Sequence, residues 1–126
     1  MDYCELIARV CYSAIFILSG INHFIQLDGM TQYATSKKIP AAKLMVILTG
    51  IVILFGGLSV LFNYQTNYGA PLLMGFLIVS AVTVHNFWTI ADPMAKASEM
   101  ASFMKNISLA GATYFLCCGG GTCCVK

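Results

Sequence analysis

The run at residues 44–62, LMVILTGIVILFGGLSVLF, carries no charged side chain over nineteen residues. Coiled into a helix it measures about 28 Å, close to the roughly 30 Å hydrocarbon core of a bilayer. A soluble chain of this size has no interior deep enough to hide such a segment on all sides. Three further stretches share the pattern, at about 6–25, 71–90 and 101–118, the last with Lys105 and Asn106 in its first turns. Composition agrees, with 59% hydrophobic and 10% charged residues, where soluble domains carry about 25% charged. A conventional soluble enzyme, a disordered chain and a collagen-like chain are all excluded. The expected fold is all-α: a four-transmembrane-helix bundle forming a single domain over 1–118, followed by a flexible Gly/Cys-rich tail at 119–126.

The connections carry their own signals. Asp28 and Gly29 form a turn pair, and Ile39-Pro40 marks a restrained start before the second span. The segment 26–43 is amphipathic, so Met30, Tyr33 and Ile39 are expected to rest on the membrane surface as a short interfacial or re-entrant helix. Residues 63–69 read as a short polar turn, and Pro71 as a first-turn residue of the third helix. Asp92-Pro93 is expected to end that helix, with Ser98 capping the fourth. The acidic start MDYCE does not suit a cleavable signal peptide. Four spans place both termini on one side and the connections 26–43 and 91–100 on the other. Lys37, Lys38, Lys43 and Lys96 stand against Arg9 and Lys126, which favours cytoplasmic connections and external termini.

Helix direction alone brings certain polar groups to one face. Asn22 and His23 close the first span, His85, Asn86 and Trp88 close the third, and Lys105 and Asn106 open the fourth. Polar groups in lipid are costly and turn toward a bundle interior or a wet cavity, so these seven residues form a candidate pocket. The plainer alternative is a packing knot, since Asn and His at helix ends often bond neighbouring helices. A metal or haem held by the two histidines is the weaker reading, because only Asp28 or Asp92 stands near to complete a site. At the opposite face Glu5 and Arg9 stand four apart as a helix-start ion pair, which eases Arg9 into the interface by snorkelling.

Cys4 and Cys11 read as buried thiols of the first span. Cys117, Cys118, Cys123 and Cys124 flank a glycine run, and four thiolates suffice for Zn²⁺ or Cu(I), for disulfides, or for acylation, according to the compartment. A frayed tail is the simpler reading. With a net charge of +2 and no basic run beyond Lys37-Lys38, nucleic acid is not an expected partner.

The order of motifs resembles the DoxX family of small four-span membrane proteins. It begins with Arg9, Phe16, Ser19-Gly20 and His23, and continues with YATSKKIP at 33–40 and the glycines Gly50 and Gly56-Gly57. It ends with HNFW at 85–88, FMKN at 103–106 and Leu109-Ala110-Gly111, so that it covers about residues 5–115. The resemblance implies a four-helix bundle in a bacterial plasma membrane. The family takes its name from a subunit of an archaeal thiosulfate:quinone oxidoreductase, and most members have no assigned activity. Two functional expectations follow. One is a non-haem redox accessory whose polar pocket takes a quinone or a small thiol, beside another redox subunit. The other is a non-catalytic assembly module, alone or as a homo-oligomer, whose polar cluster only fixes the bundle. A transporter is a distant third, since four spans rarely enclose a pathway.

Overall fold

The computed structural model describes residues 2–118. Among them are five α-helices, one 3-10 turn and no strand: α1 (Tyr3–Ile25), α2 (Leu27–Ser36), α3 (Ala42–Phe62), α4 (Thr66–Thr83), the turn Phe87–Thr89, and α5 (Pro93–Cys118). Three segments are long and apolar enough to cross a membrane: Tyr3–Ile25, Ala42–Phe62 and Thr66–Thr89. The protein is a multi-pass membrane protein. Its fifth helix has 26 residues, length enough to cross, but opens on the polar stretch PMAKASEM.

Packing runs from α1 to α3, from α3 to α4 and from α4 to α5, while α2 lies across α3. The buried face of α1 is Arg9, Tyr12, Ser13, Phe16, Gly20 and His23, the 3.6-residue stripe of a helix packed on one side. Tyr12 closes the ring of helices, reaching the Leu109 carbonyl of α5 at 3.3 Å and touching the Thr113 hydroxyl. The α3–α4 contact depends on Gly69, where an added Cβ would stand 2.5 Å from Ser59 Cβ. Ser59 has little room to yield, because its hydroxyl donates to the Tyr64 carbonyl at 2.6 Å.

Several sequence expectations are corrected. The third helix starts at Thr66, which leaves Pro71 inside it rather than in its first turn. The polar turn shrinks to 63–65 because Asn63 adopts a left-handed φ of 51° and the Tyr64 N–H closes on the Ser59 carbonyl at 3.0 Å. Gln65, also left-handed at φ 54°, then redirects the chain into α4. That helix ends at Thr83, short of Ile90, where the Val84 and His85 N–H groups both fall on the Ser80 carbonyl. Asp92-Pro93 begins α5 instead of ending α4. The Asp92 carboxylate accepts the Ala95 N–H at 3.2 Å, and Pro93 takes the first helical position, where no N–H is needed. Ser98 is therefore an interior residue, not a cap.

Cys4 and Cys11 are exposed, not buried. Seven residues apart, they occupy the side of α1 opposite its buried stripe. Arg9 departs from expectation more sharply: it is 4% exposed and does not snorkel. Its guanidinium pairs with Glu5 at 2.8 Å and donates to the carbonyls of Val60 at 2.9 Å and Leu116 at 3.4 Å. Those carbonyls lie in the last turns of α3 and α5, where helices leave acceptors unpaired and their dipoles favour a cation. One side chain thus ties three helix ends together. The thiols of Cys123 and Cys124 lie outside the described residues, and so do the side chains of Cys117 and Cys118.

Candidate functional site

At the opposite end of the bundle, α2, the exit from α4 and the start of α5 meet. α2 ends at Ser36 with Lys37 as its cap; Lys38 then turns left-handed at φ 61° and the Ile39 N–H bonds the Ala34 carbonyl at 3.1 Å. This fixed end sets Tyr33 and Lys37, one turn apart, on the same side of α2. The chain leaving α4 offers His85 and Asn86, and the second turn of α5 offers Glu99.

Glu99 is the hub. Its Oε2 accepts the His85 Nδ1–H at 2.7 Å, and its Oε1 accepts the Tyr33 hydroxyl at 2.8 Å. Lys37 Nζ donates to Asn86 Oδ1 at 3.1 Å and lies 5.7 Å from the Tyr33 ring centre. The side chains of His85 and Glu99 are each 19% exposed, so the pair is sheltered but open to water. Burial alone would raise the Glu99 carboxyl, but hydrogen bonds from His85 and Tyr33 and the nearby Lys37 and His85 charges outweigh it. Glu99 is accordingly held below the usual carboxylate range and stays ionised near neutral pH. Tyr33 is pushed up to about 12, first by burial and then by the hydrogen bond to Glu99 and its charge. It remains a proton donor to the carboxylate.

An ionised carboxylate only accepts, so Nδ1 of His85 must carry a proton in this pair. Nε2, the other ring nitrogen, has no hydrogen bond among the described residues and is the one left for exchange. Phe87 and Trp88, which follow Asn86 in the chain, form an aromatic group with Phe103 of α5, with ring centres 5.4 to 6.0 Å apart and edge-to-face angles. Chemically this is an imidazole oriented by a carboxylate that also accepts a tyrosine hydroxyl and lies near a lysine charge.

The structure gathers only part of the residues named from sequence. His85 and Asn86 enter the cluster, and Trp88, 51% exposed, joins the aromatic group. Asn22 is exposed on the outer side of α1. Lys105 is also exposed, with no partner among the described residues. His23 is buried, but its Nδ1–H goes to the Ser19 carbonyl at 2.8 Å, one turn back on its own helix. Asn106 is buried between α4 and α5 and donates to Ser80 Oγ at 3.4 Å. The carboxylate beside a histidine is Glu99, not Asp28 or Asp92. Tyr33, Lys37 and Glu99 were missed as a set. Their signal was a Tyr and a Lys four apart on an amphipathic helix, with an acidic residue on the other connection at the same face.

A profile of the DoxX family matches residues 4–86. The chain is 30% identical over 115 residues to the inner membrane protein YphA of Escherichia coli (strain K12), covering 91% of this chain and 81% of that protein. Its identity to the inner membrane protein YqjF of the same organism is 26% over 119 residues, covering 94% and 85%. No solved structure matches the chain.

Proposed function

Because the chain belongs to the DoxX family, we propose that it serves in a prokaryotic inner membrane as a non-haem accessory of a quinone- or thiol-linked redox system. The inner-membrane location follows the names of its relatives, YphA and YqjF. In this reading the second half of α5, at about 101–118, is a fourth span, and the lysine-rich connections face the cytoplasm.

One observation carries the redox reading: the His85 Nδ1–Glu99 Oε2 bond of 2.7 Å in a partly sheltered cluster. It fixes the tautomer and leaves Nε2 as the ring nitrogen open to a ligand. A flat ring bearing carbonyl oxygens would find donors in Lys37 and His85 and aromatic neighbours in Phe87, Trp88 and Phe103. Bound there, a quinone would supply the electron chemistry, and this chain would bind it, orient it and exchange its protons. Electrons would come from another subunit or from the tail cysteines, since the sequence shows no flavin, haem or iron–sulfur motif.

A second reading has its own support. Tyr33, Lys37, Asn86 and Glu99 all find partners within the chain, as expected of a clasp in a non-catalytic assembly module. Purification in mild detergent followed by mass spectrometry separates the two. The redox reading expects a co-purifying quinone. A stoichiometric membrane partner without quinone would overturn it in favour of the assembly module.

A further inference from the structure

Near its C-terminal end α3 carries a notch that the His85 cluster does not use. Phe55, Leu58, Ser59 and Phe62 recur at the three- and four-residue spacing of one helical face, and with Tyr64 they line a cavity of about 440 Å³, open on one side. That volume lies in the range of small-molecule sites. Phe55, Leu58 and Phe62 are 42%, 43% and 69% exposed, whereas Ser59 is 5% exposed, so three large walls rise around a small floor. The floor is fixed. The Ser59 hydroxyl donates to the Tyr64 carbonyl, and the Ser59 carbonyl accepts the Tyr64 N–H, so the left-handed turn at Asn63 clamps Tyr64 to Ser59. Gly69 of α4 packs so closely on Ser59 that the floor has no room to retreat.

We propose that this notch holds one acyl chain of a membrane phospholipid, in the leaflet on the Glu5–Arg9 side of the bundle. Ala42–Phe62 is long and apolar enough to span, which sets Phe62 and Tyr64 where hydrocarbon meets water and Phe55 about 10 Å deeper. The exposed walls therefore meet acyl chains rather than water. An apolar hollow left empty forfeits the contacts of its lining, and a lipid chain is the apolar rod present at that depth. A partner helix, about 10–12 Å across, is too broad to lie in a notch walled by one helix face, and would reach it only with single side chains. None of the five lining residues carries a charge, and no Asp, Glu, Lys or Arg occurs between Lys43 and Asp92. Arg9, at the same end, is 4% exposed with its donors engaged. The site accordingly reads the chain and not the charge of the headgroup, with the exposed amides of Asn63 and Gln65 as uncharged donors for ester oxygens. The proposal stands apart from the redox reading and needs only that α3 be a span.

The test is photolabelling of the full chain in liposomes of phosphatidylethanolamine and phosphatidylglycerol, with a trace of either lipid carrying a diazirine on the upper half of one acyl chain. Adducts are mapped by peptide mass spectrometry. Those on residues 55–64 are expected to exceed those on Ile7 and Val10, exposed at comparable depth on α1, by about tenfold, the ratio given by about 1.4 kcal/mol of preference. Leu58→Trp, which crowds the notch from an exposed wall, is expected to bring them down to the level of Ile7 and Val10. Leu18→Trp, on the outer side of α1, is expected to leave them unchanged. Probes with either headgroup should label alike. Equal labelling of 55–64 and the α1 pair means annular lipid only, and overturns the site with no variant needed. So does undiminished labelling of Leu58→Trp, a strong preference for the anionic probe, or protection by excess long-chain quinone but not by unlabelled phospholipid. Loss of adducts as the protein-to-lipid ratio rises would give the notch to a second copy of the chain and overturn the proposal too. None of these results depends on quinone retention at the His85 face, which is read separately.

Discussion

Arg9→Met is expected to be the most damaging single change in the bundle, lowering stability by roughly 3 kcal/mol, at the low end for breaking a buried charged pair. The low end applies because Glu5 is 43% exposed and can be hydrated once its partner is gone. The larger share comes from the carbonyls of Val60 and Leu116, which lose the donor that holds three helix ends together. Arg9→Lys should recover only part of the loss. An ammonium on a single nitrogen cannot reach a carboxylate and two carbonyls in the spread geometry of a guanidinium. Thermal unfolding in detergent, followed by circular dichroism, measures this. An Arg9→Met chain that melts with the wild type would return Arg9 to the snorkelling role expected from sequence.

Glu99→Leu is expected to cost about 1–3 kcal/mol by stranding the His85 N–H and the Tyr33 hydroxyl and leaving Lys37 without a counter-charge. The loss should be local. Amide exchange in α2 should rise most, because Tyr33 is its hydrogen bond to α5. Glu99→Gln should be milder, keeping an acceptor for one partner. The same carboxylate sets an acid dependence whose sign is fixed. The folded protein holds Glu99 below its ordinary value of 4.5. Its stabilising contribution is therefore fully present above that value and fades as pH falls through the lower, folded one. The wild type should lose melting temperature in that acid window by more than Glu99→Leu does. Identical acid profiles would remove Glu99 from the stability of this face.

Apolar length was legible in the sequence, and with it the long helices and the helical character of the connection at 27–36. What misled was local chemistry at helix ends. Asp92-Pro93 reads as a stop if the helix before it is taken to continue, yet the same pair is a cap and a first-turn proline for the helix after it. At 63–65 left-handed Asn63 and Gln65 make a tighter reversal than a run of seven polar residues suggests.

The site was half legible for a related reason. Helix direction placed His85 and Asn86 at the correct end, but rotation about the helix axis decides what meets what. Asn22 lies one residue from buried His23, and that 100° step turns it outward. Glu99 went unseen because residues 93–100 were expected to be a connection, and only as the second turn of a helix do they aim a carboxylate at His85. Arg9 was placed on the right helix but assigned to the membrane surface. No sequence pattern announces that two other helices end against it.

The central claim is that the carboxylate-held imidazole at this face exchanges protons with a bound redox ligand rather than simply packing the bundle. His85→Gln tests it most directly, because glutamine keeps a hydrogen bond to Glu99 but cannot take up a proton near neutral pH. Melting temperature and quinone retention are read on the same detergent preparation. The expected result is retention reduced about tenfold, worth about 1.4 kcal/mol, with a melting temperature within about 2 °C of wild type. Retention unchanged, or retention and melting temperature falling together, would contradict the claim and leave His85 as part of a structural clasp.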